Sequence, residues 1–98
     1  MLHMLNKSPF VSNSLDSCLN FADKGAPILF IEDAVYGALE GTSITDKIKS
    51  AMADHPVYAL KEDVAARGIS KLISGIKIVD YKGFVELVEN HTTCSWTS

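Results

Sequence analysis

Two adjacent carboxylates follow a purely apolar segment in the first half of the chain. Within APILFIEDAVYGALEG (residues 26–41), the run Ile28–Ile31 predicts a buried strand, and Glu32 and Asp33 come directly after it. Open α/β sheets bind ligands at the carboxyl edge of their strands. Carboxylates there could serve as a general acid/base pair or bind magnesium. Neighbouring residues that leave a strand point in different directions, so we favour Asp33 as a helix cap and Glu32 as a solvated or interface residue.

Cys18 is the second candidate for chemistry, as a sulfur acceptor. A thiolate can attack a persulfide and carry its outer sulfur onward. Cys18 lies about one turn into the predicted helix Ser14–Lys24, where the helix dipole favours the thiolate. It also shares an apolar helical face with Leu15 and Leu19, and a cysteine in such a place is more often a small core residue. Both interpretations remain open from the residues alone.

The remaining motifs predict neither a metal nor a cofactor. His91 and Cys94 are three residues apart, but a structural zinc site normally needs two such pairs. The segment SKLISG (residues 70–75) matches no nucleotide-binding pattern. Trp96, near the end, is either a core residue or an interface anchor. We take Glu32, Tyr36 and Trp96 as the interface candidates.

Strand and helix segments alternate along the chain. This alternation predicts an α/β fold in which a parallel sheet is covered on both faces and joined by right-handed crossovers. The predicted strands are Leu2–Leu5, Ile28–Ile31, Val57–Leu60 and Ile76–Val79, with at most an edge strand in the tail His91–Ser98. The predicted helices are Ser14–Lys24, Asp33–Leu39, a helix that opens at Ser43 and ends before His55, Lys61–Arg67 and Tyr81–Glu89.

Capping residues set the predicted helix ends. Asn13 should cap the first helix and Gly25 should follow its end in a left-handed conformation. Ser43, with Asp46 three residues later, should open the third helix, and Asp80 should cap the last.

Size and charge limit the functions that the chain can have. With 98 residues it should form one domain, and its 47% apolar content suggests a surface partly hidden against another subunit. The net charge is -3 and Arg67 is the single arginine, so direct nucleic-acid binding is not expected. No apolar run is long enough to span a bilayer, and Cys18 and Cys94 should be thiols in a cytoplasmic protein.

Six segments in order along the chain resemble the TusB/DsrH family. They are MLHMLNKSPF, NSLDSCLNFA, GAPILFIEDAVYGALEG, VYALKEDVAARG, IVDYKGFVEL and CSW, and they cover essentially the whole sequence. The resemblance implies a three-layer α/β/α sandwich with a mostly parallel sheet of four to five strands. It also implies a heterohexamer containing two copies each of three homologous small subunits.

The resemblance carries over to few individual residues. The principal sulfur-carrying cysteine of these complexes belongs to the TusD or DsrE subunit, and this chain has no cysteine at an equivalent strand end. Cys18 matches a cysteine found in DsrH and in some TusB-like chains, which strengthens its candidacy as a possible persulfide acceptor. A chain without a complete site of its own fits an accessory subunit.

Three functions follow from the sequence. The first is a TusB-like subunit that works with TusC-like and TusD-like chains and passes persulfide sulfur toward 2-thiolation of the wobble uridine of tRNA. The second is a DsrH-type subunit that works with DsrE-like and DsrF-like chains in sulfur oxidation. The third, of another class, is a stand-alone small-molecule enzyme using Glu32 and Asp33.

Overall fold

A computed structural model describes residues 1–97, and the predicted alternation of strands and helices is present. The four predicted strands form, although the second ends at Phe30 and the fourth begins at Lys77. In chain order the elements are β1 (Leu2–Leu5), α1 (Ser14–Phe21), β2 (Ile28–Phe30), a 3₁₀ helix (Glu32–Ala38), α2 (Thr45–Met52), β3 (Val57–Leu60), α3 (Lys61–Ala66), β4 (Lys77–Val79), α4 (Tyr81–Asn90) and β5 (Thr93–Trp96).

The five strands form one sheet in the order β4-β3-β2-β1-β5, and every neighbouring pair is parallel. The predicted α/β class and parallel sheet are therefore confirmed. The tail forms the predicted edge strand, β5, which lies beside β1 with Met4 opposite Ser95. Ser98, the last residue of the predicted tail segment, lies outside the described residues.

The two faces of the sheet are covered unequally. From β1 to β4 the chain moves across the sheet in one direction, so right-handed crossovers place α1, the 3₁₀ helix, α2 and α3 on one face. The return from β4 to β5 places α4 alone on the other face. Along α4, none of the residues is fully buried. One helix therefore covers the second face incompletely.

Side chains alternate between these two faces. Leu5, Phe30 and Ala59 belong to the core cluster on the first face, where helical residues including Cys18, Val35 and Ile48 join them. Leu2 and Leu29 alternate with these strand positions and are also fully buried, but they lie outside that cluster. They form the buried centre of the second face.

The ends of α1 differ from the prediction. Asn13 precedes the helix, but its side chain makes no capping hydrogen bond. The helix ends at Phe21 rather than Lys24 because Ala22 is already extended. Gly25 does have a positive φ of 91°, but it lies in a separate turn in which the Ala26 N–H donates to the Asp23 carbonyl at 3.0 Å. The predicted cap and the predicted helix end were therefore wrong.

The predicted start of α2 was also wrong, whereas the predicted Asp80 cap of α4 is confirmed. Residues 42–45 form a turn in which the Thr42 N–H donates to Thr45 Oγ1 at 2.9 Å, and the helix begins at Thr45 without a side-chain cap. At α4, Asp80 Oδ1 accepts the Gly83 N–H at 2.9 Å. No helix in residues 1–97 combines the length and apolar character needed to cross a membrane.

Candidate functional site

The carboxyl edge of the sheet holds Glu32 in an unusual backbone conformation. Ile31 is extended, and Glu32 then turns with a φ of 50°, which is uncommon for a residue with a side chain. The Glu32 N–H donates to Asp63 Oδ2 at 2.7 Å. Since Asp63 lies on α3, directly after β3, it stabilises the turn that follows the neighbouring strand β2. The Glu32 side chain itself is exposed.

Asp33 lies beside Glu32 but pairs with a different group. Arg67 Nε and Nη2 lie 3.0 and 2.9 Å from Asp33 Oδ1. Arg67 Nη1 also lies 3.3 Å from the Asp63 carbonyl oxygen and 3.6 Å from Asp63 Oδ1. One guanidinium therefore bridges two carboxylates at this edge. The prediction that Asp33 caps the following helix is wrong, because its carboxylate is turned toward Arg67 and makes no capping bond.

This network, Asp33–Arg67–Asp63, has the chemistry of a structural clamp. Asp33 is engaged by Arg67 while the exposed Glu32 carboxylate stays outside the network, so the two do not form the pair considered for acid/base work. Among residues 1–97, no group of three or more His, Cys, Asp or Glu side chains is placed to hold a metal ion. The clamp fixes β2 against β3 where both strands end.

We expect Asp63 to contribute more to stability than Asp33. Asp63→Ala removes a charged acceptor from the Glu32 N–H and one partner of Arg67, at a cost of about 1.5–3 kcal/mol. The Asp33 side chain is 61% exposed, so Asp33→Ala should cost about 1 kcal/mol or less. Urea unfolding of both variants checks the order. Equal losses would show that the bond to Glu32 contributes nothing.

Cys18 is placed in the core. It is 0% exposed and packs in the cluster beneath α1, and both cysteines are free thiols, as predicted. Burial, with a smaller contribution from the nearby Cys94, raises the pKa of the Cys18 thiol to about 12. This shift is opposite to the one expected from the helix dipole, because burial disfavours the charged thiolate. Whether Cys18 accepts sulfur stays a prediction.

Trp96 belongs to a cluster of rings at the β5 edge. Its Nε1–H donates to Nδ1 of His3 at 3.1 Å, and its ring centroid is 5.8 Å from that of Phe21 and 6.2 Å from that of His3.

The hydrogen bond from Trp96 sets the protonation state of His3. An indole nitrogen only donates, so His3 Nδ1 must be unprotonated. His3 is 1% exposed, and burial, with smaller effects of the positive N-terminus and His55, lowers its pKa against the opposing effect of Asp23. His3 is therefore held neutral.

Because His3 is neutral when folded, we expect stability to fall with acidification. The unfolded chain gains a proton near pH 6.5, whereas the folded chain does so only at lower pH. Stability is thus lost as the pH falls below about 6.5, by at most about 1.4 kcal/mol per pH unit for this group. Urea unfolding at pH 7.5 and 5.5, followed by circular dichroism, measures the difference.

The matched variant is His3→Gln, whose amide oxygen can still accept from Trp96 but does not titrate. It should lose less stability than the wild-type chain between the two pH values. The same loss in both proteins would mean that His3 does not contribute to the pH dependence.

The other candidates are dispersed over the molecule. Tyr36 is half-buried on the 3₁₀ helix, and Cys94 is half-buried on β5. His91 Nδ1 lies 2.9 Å from the carbonyl oxygen of Leu87, in the last turn of α4, so the His91 ring binds to the C-terminal end of that helix. The structure thus brings Glu32 and Asp33 to one edge, but it does not join them to Cys18 or Trp96 in a single site.

The contacts made by Asp63, Arg67, His3 and Phe21 were not predicted from the sequence. Asp63 and Arg67 follow the next strand along the sheet and are spaced i, i+4, a spacing that puts them on one helical face. This spacing is a local signal that favours a contact between Asp63 and Arg67. The contact of His3 with Trp96 joins residues 93 positions apart, and no local pattern predicts it.

Comparison with known proteins identifies the family. A family model described as "DsrH like protein" matches residues 7–94. The chain is 37% identical over 92 residues to Protein TusB of Pectobacterium carotovorum subsp. carotovorum (strain PC1), which covers 93% of this chain and 94% of that protein. Protein TusB of Escherichia coli (strain K12) is 35% identical over 92 residues, with the same coverage. The crystal structure of the ychN protein from E. coli superposes on this chain with a TM-score of 0.80 at 21% sequence identity. The match covers 99% of this chain and 97% of the ychN chain, and it supports the fold but not a function. The chain therefore belongs to the TusB/DsrH family, as the resemblance predicted.

Proposed function

We propose that this chain is a TusB-like subunit of a sulfur-relay complex that passes persulfide sulfur toward 2-thiolation of the wobble uridine of tRNA. One observation carries the proposal: relatives named Protein TusB match more than nine-tenths of the chain at 35–37% identity. As a single domain over residues 1–98, the chain would act in the cytoplasm as an accessory subunit.

The side chains support an accessory role. A relay cysteine must be accessible and ionisable, but Cys18 is buried and its pKa is raised to about 12. The carboxylate of Asp33 is engaged by Arg67, which disfavours the stand-alone enzyme that would use Glu32 and Asp33. In this proposal the reacting cysteine belongs to a partner, and no cofactor is required of this chain.

The partners we propose are TusC-like and TusD-like subunits in a heterohexamer with two copies of each chain. Exposed apolar side chains are consistent with such contacts: Val11 and Phe21 lie near β5, and Ile78 and Tyr81 lie near β4 at the opposite edge of the sheet. The net charge of -3 fits a subunit that does not bind the tRNA directly.

A DsrH-type role in sulfur oxidation is the second candidate. The observation in its favour is that the matching family model is described as DsrH-like. In that case the partners would be DsrE-like and DsrF-like chains, and loss of the protein would leave tRNA thiolation unchanged.

Two measurements test the proposal. The chain is co-expressed with the TusC-like and TusD-like proteins of its own organism, and light scattering should give the mass of a two-copies-each hexamer. In the same organism, deletion of the gene should abolish 2-thiouridine in tRNA digests, and the wild-type gene should restore it. Normal 2-thiouridine after deletion, or a chain that stays monomeric beside these proteins, would overturn the proposal.

A further inference from the structure

Among residues 1–97, no strand lies beyond β5, so the outer side of its backbone presents hydrogen-bonding groups that no further strand pairs. The Leu2 N–H donates to the Thr92 carbonyl oxygen at 2.7 Å, and Leu2 lies opposite Thr93. In a parallel ladder, the backbone of Leu2 forms hydrogen bonds with the residues on either side of its partner Thr93. The backbone N–H and C=O groups of Thr92 and Cys94 therefore point toward β1. The N–H and C=O groups of Thr93 and Ser95 therefore point outward, away from the sheet.

This edge lacks the features that usually prevent strand pairing. Exposed edges are commonly protected by charged residues, prolines or bulges. The sequence of β5, Thr-Cys-Ser-Trp, contains none of the protecting residue types, whereas the edge strand β4 begins with Lys77 and is followed by Asp80. Of the two edges of the sheet, β5 is thus the one open to another strand.

Apolar side chains continue from β5 onto the neighbouring surface. Phe21 is 62% exposed, and its ring lies against Trp96. Val11 is 84% exposed, and together with Trp96 it lines a cavity of about 340 Å³ beside the start of α1. The hydrogen bond to His3 fixes the Trp96 ring between these two features. We call the outer side of β5 together with Val11, Phe21 and Trp96 the β5 surface.

We propose that the β5 surface receives a β-strand of a partner subunit, which extends the sheet beyond β5 by pairing with Thr93 and Ser95. This inference rests on the proposed function, since it names the surface through which this chain joins its complex. Strand addition supplies main-chain hydrogen bonds, while side-chain pockets supply specificity. The cavity beside Trp96 would take a side chain of the incoming strand.

The area needed for a stable interface sets the extent of the contact, and net charge favours a different chain over a second copy. A stable interface buries about 800 Å² on each partner, more than a four-residue strand edge provides, so the contact must continue over Val11 and Phe21. Two copies of this chain would each bring a net charge of -3 to the contact. A partner without that negative charge avoids the repulsion.

Ser95 gives a direct test. Its side chain is exposed and its N–H points outward, so Ser95→Pro removes a pairing donor and Ser95→Lys adds a protecting charge, both without disturbing the ladder to β1. Affinity is measured by titrating each purified chain into the co-expressed TusC-like and TusD-like proteins. Both variants should bind at least about tenfold more weakly than the wild type.

Matched controls separate pairing from general damage. Ser95→Ala keeps the N–H, and Ser74→Lys adds the same charge at an exposed serine before β4, so both should bind within about twofold of wild type. Val11→Asp changes a side chain that is 84% exposed and should weaken binding as the Ser95 variants do. Circular dichroism and Trp96 fluorescence establish that each variant is folded.

Each outcome is decisive. Unchanged affinity for folded Ser95→Pro, Ser95→Lys and Val11→Asp overturns the β5 surface while the proposed function stands. No binding by the wild-type chain overturns the proposed function and this inference together. If light scattering shows that the wild-type chain self-associates and Ser95→Lys abolishes it, the occupant is a second copy and the partner strand is excluded.

Discussion

Cys18 of the folded chain is expected to react with iodoacetamide at pH 8 about a thousandfold more slowly than an ordinary cysteine. The pKa of its thiol is raised from 9.0 to about 12, so the thiolate fraction at this pH falls by about three orders of magnitude. Its side chain is also 0% exposed, so limited access of the reagent slows the reaction further. Peptide mass spectrometry after timed alkylation measures the rate.

Two comparisons make this result interpretable. Cys94 is half-buried in the same molecule and should be alkylated first, and in urea both cysteines should react at similar rates. A persulfide donor should likewise add no +32 Da to Cys18 of the isolated chain. Rapid labelling of Cys18 without urea would contradict its burial and would support the persulfide-acceptor role. The 2-thiouridine content of tRNA from cells that carry Cys18→Ser then shows whether thiolation depends on this cysteine.

Leu29→Ala is expected to cost about 2–5 kcal/mol of unfolding free energy, the usual range for a leucine truncated in a packed core. Leu29 lies on β2, the central strand, and is fully buried although only α4 crosses its face of the sheet. Each kcal/mol of unfolding free energy that is lost should lower Tm by about 4–8 °C in a chain of this size. Calorimetry and urea unfolding measure the two quantities.

Met4 provides the matched position for this test. Met4 lies on the same face of the neighbouring strand β1 but is only half-buried, so Met4→Ala should cost clearly less. If both variants lost the same small amount, the second face would not be packed by α4, and the three-layer arrangement would be incorrect in that layer.

The strand pattern was predictable because each strand is a short local signal. Apolar runs such as Val57–Leu60, separated by helical periodicity, identify a parallel α/β sheet regardless of where the strands lie in space. The Asp80 cap was predictable for the same reason, since its bond to Gly83 spans three residues. The Asp33 cap failed because Arg67, 34 residues away, competes for that carboxylate.

The fold class, the family and the position of Glu32 and Asp33 after a buried strand all follow from local sequence patterns. The roles of the individual side chains depend on contacts that form only when the chain folds. Burial sets the ionisation of Cys18, and desolvation depends on neighbours contributed by the whole chain. The same holds for Trp96, whose partner His3 comes from the other end of the sequence. Local patterns specify the backbone, whereas protonation and pairing depend on contacts between distant residues.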